Sequence, residues 1–136
     1  MNLVEAIIKA IKREFGKDAI IYEDKVEQEL ELASFFIRIL SDSLKEELNG
    51  QYRYRALVEI TYFGNELPQT EQEAMRLRIQ LALSNLPNLV RAEKTDTKIV
   101  DGFIVANATY TLFLNKKEKD SLMARLEKIN GKRKDC

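Results

Sequence analysis

Histidine and tryptophan are missing from all 136 residues of this chain, and its single cysteine is the last residue, Cys136. Without His the commonest general base is gone, along with His-containing triads and every imidazole metal site. One Cys excludes an intrachain disulfide and a multi-cysteine metal centre, and nothing suggests an oxidising compartment, so a cytoplasmic origin is expected. No uninterrupted apolar run exceeds four residues, as in Ala19 to Tyr22. A membrane helix needs about 20 such residues and a signal-peptide core about 7, so a soluble chain without a secretion signal is expected. Glycine and proline are scarce, at 5 and 2, and no linker, repeat or low-complexity stretch is visible. Neither charge dominates: 22 Lys and Arg meet 22 Asp and Glu. No global field therefore draws the chain to nucleic acid or to an anionic membrane.

What remains is an ordinary globular composition, 45% hydrophobic and 32% charged, of a length that suits one domain able to bury a core without staples. Leu3, Val4, Ile7, Ile8, Ile11 and Phe15 recur at helical spacing before Gly16, which predicts an amphipathic helix with a glycine stop. Ala19 to Tyr22 reads as a short strand. Glu23 to Glu31 carries five acids and one Lys, a local charge of −4, and reads as an exposed acidic connection.

Phe35, Phe36, Ile37, Ile39 and Leu40 give a buried strand, with Leu44 and Leu48 continuing a sparser apolar face up to Asn49-Gly50. Asn-Gly between two extended runs signals a hairpin with a type I′ turn, because both central residues need positive φ. The return arm alternates: Tyr52, Tyr54, Ala56, Val58, Ile60 and Tyr62 on one face, Arg53, Arg55, Glu59 and Thr61 on the other. At roughly 3.3 Å per residue each arm approaches about 40 Å, so the tip is expected to project beyond the body. The alternative is a bulge or helical turn within Ser41 to Leu48 and a shorter hairpin, since Ser-Asp-Ser is poor strand chemistry.

After a loop at Asn65 to Gln69, Thr70 and Glu73 fit a capping box that opens a helix with Met75, Ile79, Ala82, Leu83 and Leu86 on one stripe. Pro87 ends it. Val90 to Val100, an Asp101-Gly102 turn and Phe103 to Leu114 read as a second hairpin, and a last helix from about Glu118 has Leu122, Met123, Leu126 and Ile129 as its stripe with Gly131 as its stop. The expected fold class is α+β: an antiparallel sheet with a long β-hairpin, flanked by about three amphipathic helices. Residues 1–131 are expected to form a single domain, and residues 132–136 a basic, disordered tail.

Chemistry is sparse. Asp42 with Glu46 or Glu47, and Asp96 with Asp101, are the candidate acid pairs, but none lies in the apolar context that raises a general acid's pKa. Phosphate-binding glycine loops, nucleophile elbows and calcium loops are not found. Ser41 and Ser43 lack a base, and Cys136 sits at a polar end that offers no fixed oxyanion site. No catalytic, cofactor or metal site is expected. Asn115 to Cys136 carries eight basic residues and four acids, +4 against the −4 of Glu23 to Glu31. These patches are either solvated surface or the two halves of a head-to-tail contact between copies. The candidate oligomer or tube interface is Asn49, Gly50, Tyr52, Arg53, Tyr54 and Arg55, with Glu27, Glu29 and Glu31 as the acidic partner patch, since Tyr and Arg are enriched at contact cores.

Several stretches carry a resemblance: Tyr22-Glu23-Asp24 through Phe35-Phe36-Ile37, Lys45-Glu46-Glu47-Leu48, Tyr52-Arg53-Tyr54, Ile60-Thr61-Tyr62-Phe63 and Ile99-Val100-Asp101-Gly102. Over about residues 1 to 115 the chain resembles the tail terminator family of Gram-positive phages and phage-derived contractile bacteriocins. It departs from that pattern in the helix and basic tail after Leu114. The resemblance implies a non-enzymatic structural protein, a hexameric ring of identical copies that caps the tail tube and sheath and stops their polymerisation. It implies contact with tube and sheath proteins and with a head–tail connector at the neck-proximal end of a virion or tailocin tail. No membrane and no sequence-specific nucleic acid is implied, although DNA could pass through the ring. Another tail-completion, head–tail joining or tube-like protein is the alternative.

Overall fold

A computed structural model describes residues 2–23, 33–64 and 67–134, with side chains as far as residue 126. Helix α1 (Leu3–Phe15) forms where the apolar spacing predicts it, and buries Leu3, Ile7, Ala10 and Ile11. The Asn2 side-chain oxygen accepts the N–H groups of Val4 at 2.9 Å and Glu5 at 3.4 Å, which meets donors that a first helical turn leaves unpaired. Gly16 stops the helix at φ 110°, a left-handed conformation that costs glycine nothing.

Strands β1 (Ile20–Glu23), β2 (Ser34–Glu46), β3 (Tyr52–Phe63), β6 (Lys94–Val100) and β7 (Phe103–Leu114) form one sheet in the order β1-β2-β3-β7-β6. Strand β1 runs parallel to β2, with Ile20 opposite Ser34 and Glu23 opposite Ile37. The remaining neighbours are antiparallel. The short strands β4 (Asn85–Leu86) and β5 (Val90–Arg91) pair separately, so the expected Val90 to Val100 strand is broken in two. Helices α2 (Gln69–Ser84) and α3 (Lys116–Lys134) complete the α+β architecture.

Both arms of the first hairpin are full length, 13 and 12 residues, so the shorter hairpin weighed as the alternative does not form; a bulge is present, but at Leu40, just before the Ser41 to Leu48 stretch where one was expected. Ile39 faces Val58 and Ser41 faces Leu57, leaving Leu40 as the extra residue. That extra residue shifts the alternation by one, so Phe35, Ile37 and Ile39 below it and Leu44 above it all point to the core side. The turn corrects the type I′ expectation in one respect. Asn49 (φ 65°) and Gly50 (φ 72°) are both left-handed, but the loop has three residues, Leu48–Gly50, closed by the Glu47 N–H donating to the Gln51 carbonyl at 2.7 Å. The hairpin does not project alone, because β7 accompanies β3 to its outer end, where Leu114 lies opposite Tyr52.

The core lies on one side of the sheet, under α1 and α2. Tyr54, Ala56, Val58 and Ile60 alternate inward from β3, and Ile104, Ala106, Ala108, Tyr110, Leu112 and Leu114 from β7. Each fully buried side chain of Val, Leu or Ile size contributes about 1.5–3 kcal/mol by leaving water. A column of rings crosses the base of this layer: Arg78 stacks 4.5 Å over Phe15, Phe15 lies 5.1 Å from Phe35, and Phe35 5.0 Å from Tyr62. It joins α2, α1, β2 and β3 through contacts worth more than their area alone.

Two helix starts differ from expectation. Helix α2 begins at Gln69 behind Pro68, without a side-chain cap; Thr70 lies inside it, and Glu73 pairs with Arg76 at 2.8 Å rather than closing a capping box. Proline's fixed φ suits the entry, and its missing N–H would be unpaired there anyway. The capping box is at α3: Asn115 Oδ1 accepts the Glu118 N–H at 2.8 Å, and Glu118 Oε1 accepts the Asn115 N–H at 3.1 Å. Helix α3 therefore starts before Glu118, and it continues past Gly131 to Lys134.

Candidate interaction surface

The side of the sheet away from the helices is where the outward alternation of β2, β3, β7 and β6 leads. Cross-strand register arranges it in rows. Nearest the hairpin loop stand Lys45, Arg53 and Phe113; next Ser43, Arg55 and Thr111; then Arg38, Glu59, Asn107 and Asp96 further down; and at the base Phe63, Phe103 and Val100. The middle is tied by charge. Arg38 Nε donates to Glu59 Oε1 at 2.9 Å, and Arg55 donates to Glu93 Oε2 at 3.2 Å, while the Thr111 hydroxyl donates to the other Glu93 oxygen. The Thr111 bond first, and Arg55 after it, hold the Glu93 carboxyl below the usual range for Glu. The two ends are apolar. Phe113 is 65% exposed, and at the base Phe63 and Phe103 meet edge to face at 5.0 Å.

The candidate interface residues divide. Asn49 and Gly50 are exposed at the loop, beside Leu48, which is 85% exposed rather than part of the inward face. Arg53 and Arg55 point to the outer side; Arg53 holds Glu47 at 3.2 Å and Arg55 holds Glu93. Tyr52 lies on the inner side beneath Lys119, whose ammonium sits 5.1 Å from the ring centre. Tyr54 is 2% exposed and donates its hydroxyl to Asp42 at 2.8 Å, so its side chain belongs to the core; burial first, and the Asp42 carboxylate next, push its phenol well above the usual range. Glu27, Glu29 and Glu31 lie outside the described residues.

The candidate acid pairs have other partners. Asp42 takes the Tyr54 hydroxyl, Glu47 takes Arg53, and Asp96 faces the Asn107 amide at 3.5 Å. Among the described residues no group of three or more Asp, Glu or Cys is placed to hold a metal ion, and no helix is long and apolar enough to cross a membrane. A cleft of about 300 Å³ between α1 and the turn at Pro87-Asn88 is lined by Glu5, Lys9 and Arg13 among others.

Sequence reasoning missed the exposed leucines of α2. Leu77 and Leu81, at i and i+4, lie on the solvent side; their signal was an apolar pattern wider than one stripe. Leu40, a bulge residue, could have been suspected from the phase change between Ile39 and Leu44.

A search of curated proteins gives no match to this chain. The family model described as "Phage tail terminator protein" matches residues 2–122, a span that takes in the whole sheet, α1, α2 and the start of α3. The chain belongs to the phage tail terminator family.

Proposed function

We propose that this protein assembles as a ring, hexameric by resemblance to its family, that caps the growing tail tube and sheath, ends their polymerisation and offers its other side to the head–tail connector. Membership of the family makes it a structural protein of the virion tail, and that match over residues 2–122 carries the proposal. The exposed surface supports it. A cap needs apolar contact groups at its ends and no catalytic centre, and Leu48 and Phe113 stand exposed near one end of the sheet with Phe103 and Val100 at the other. A cap must also bind the tube better than it binds a second cap, because heterologous contacts that fail to close make filaments. The Asn49-Gly50 loop with Leu48 meets the tube or the neighbouring subunit, and Glu27, Glu29 and Glu31 meet the basic C-terminal region of the next copy. A cluster of such exposed pairs weakens as salt shortens the Debye length to below about 8 Å.

Deleting the gene should yield tails of uncontrolled length, and purified protein added to polymerising tube should shorten it. Tails of normal length in the deletion would remove the capping role. Tails that keep their length but fail to join heads would point instead to a head–tail joining protein.

A further inference from the structure

The sheet has two long edges that carry no strand among the described residues. Among those residues no strand pairs with the outer side of β6, whose Thr95 and Thr97 hydroxyls accept from Gln80 and Arg76 of α2, and none pairs with β2 beyond Ile37, where its pairing with β1 stops. Unpaired edges of this length are templates for another chain. We propose that neighbouring copies join by strand addition, the β6 edge of one copy pairing antiparallel with the outer half of β2 in the next. This rests on the ring reading and names the contact that makes the ring.

Three features of the backbone fit these edges to one another. First, β2, β3, β7 and β6 alternate in direction, so a copy related by rotation offers a β2 that runs opposite to β6. Antiparallel pairing follows without turning either subunit over. Second, the hydrogen-bonding groups match. The turn at Asp101-Gly102 closes on Val100 and Phe103, so within the hairpin the even residues of β6 bond inward to β7, and Thr95, Thr97 and Ile99 aim their N–H and C=O groups at the unpaired edge. The loop at Leu48–Gly50 closes on Glu47 and Gln51, which by the same alternation leaves Asp42, Leu44 and Glu46 aimed at the other unpaired edge. Both sets belong to strand positions on the core side of the sheet. The sheet therefore continues from copy to copy with its faces aligned; had the sets been on opposite faces, no such joint could form.

Third, charge selects the register. With Thr97 opposite Leu44, Asp96 comes opposite Lys45 and Lys94 opposite Glu47, two unlike pairs. Sliding by two residues puts Lys94 opposite Lys45, a like pair that destabilises. In the favoured register the strand lands six residues toward the hairpin loop from its level in its own sheet, since Thr97 is level with Ile60 and Leu44 with Tyr54. Six residues are about 20 Å along the strands, and four strand spacings about 19 Å across them, so strands would tilt about 45° to the ring axis, the upper end of the range for closed barrels. Strand β1, by occupying the base of β2, forces this stagger.

The test uses the full chain carrying Cys136→Ser. Opposed residues 96 and 45 lie about 4.5 Å apart between Cα atoms in a non-hydrogen-bonded pair, within disulfide reach. Asp96→Cys protein mixed with Lys45→Cys protein should cross-link on oxidation in the assembled state, and neither should do so alone. Asp96→Lys should lose rings at a concentration where the native chain forms them, read by native mass, and adding Lys45→Asp should restore them. Rings that persist in Asp96→Lys and give no cross-link between 96 and 45 would overturn the edge joint while leaving the ring intact. A native chain that stays monomeric both in solution and on tube ends would overturn the ring itself.

Discussion

Replacing Tyr110 by Phe removes one oxygen atom, and its cost follows from where helix α2 ends. The carbonyl of Leu83 lies in the last turn of α2, and because the chain turns extended at Asn85 no helical N–H reaches it. Tyr110, buried in β7, supplies the donor instead: its hydroxyl lies 2.5 Å from the Leu83 oxygen. Tyr110→Phe forfeits a hydrogen bond worth about 1 kcal/mol net and strands a carbonyl whose desolvation costs about 1–3 kcal/mol, so a loss of about 2 kcal/mol is expected. Over 136 residues an unfolding entropy of about 2.1 cal/mol/K per residue gives about 0.3 kcal/mol/K, and the melting temperature should fall by about 7 °C. Thermal unfolding followed by circular dichroism reads this directly. A melting temperature within about 1 °C of the native value for Tyr110→Phe would refute the reasoning.

The same burial sets an alkaline limit. Burial pushes the phenols of Tyr54 and Tyr110 above their ordinary range, so the unfolded chain releases these protons first. Their contribution is complete below about pH 10 and is lost as pH rises past it. Urea unfolding across that interval should show falling stability, shallower in Tyr110→Phe; a flat profile would contradict it. Deleting Leu40 should be tolerated, because Ile39 and Ser41 then pair in sequence opposite Val58 and Leu57 with every inward residue still inward. A stability change within about 1 kcal/mol is expected. Deleting Ala56 from β3 shifts the faces with no bulge to absorb it, and should abolish the cooperative melt; equal damage from both deletions would show that Leu40 is not a spare residue.

Much of the fold is written in local signals. The alternation of β3 and β7, the positive φ at Asn49, Gly50, Asp101 and Gly102, and the stripe of α1 each follow from chemistry within a few residues. What the chain conceals is non-local. The parallel β1–β2 pair depends on where residues eleven or more positions away come to lie, and four residues of β1 hold no mark of direction. Thr70 and Glu73 satisfy a capping pattern as well as Asn115 and Glu118 do, and only the geometry at Pro68 separates them. The interaction surface was half legible: Arg53 and Arg55 face outward as their alternation requires, whereas Tyr54 shares their composition but not their face. Its burial was implicit in the same alternation that placed Val58 and Ile60 inside.

The strand order also governs how the chain reaches this state. Each hairpin closes through a loop of two or three residues with a turn suited to it. Joining them requires Tyr62 to meet Ile104, across 41 intervening residues. By loop-closure entropy that step costs about 2 kcal/mol more than closing either turn. The union of β3 with β7 is thus the costliest closure between neighbouring strands of the sheet, and until it occurs both strands present open edges to whatever is nearby. The interval before that closure is when this chain is most exposed to pairing with a wrong strand.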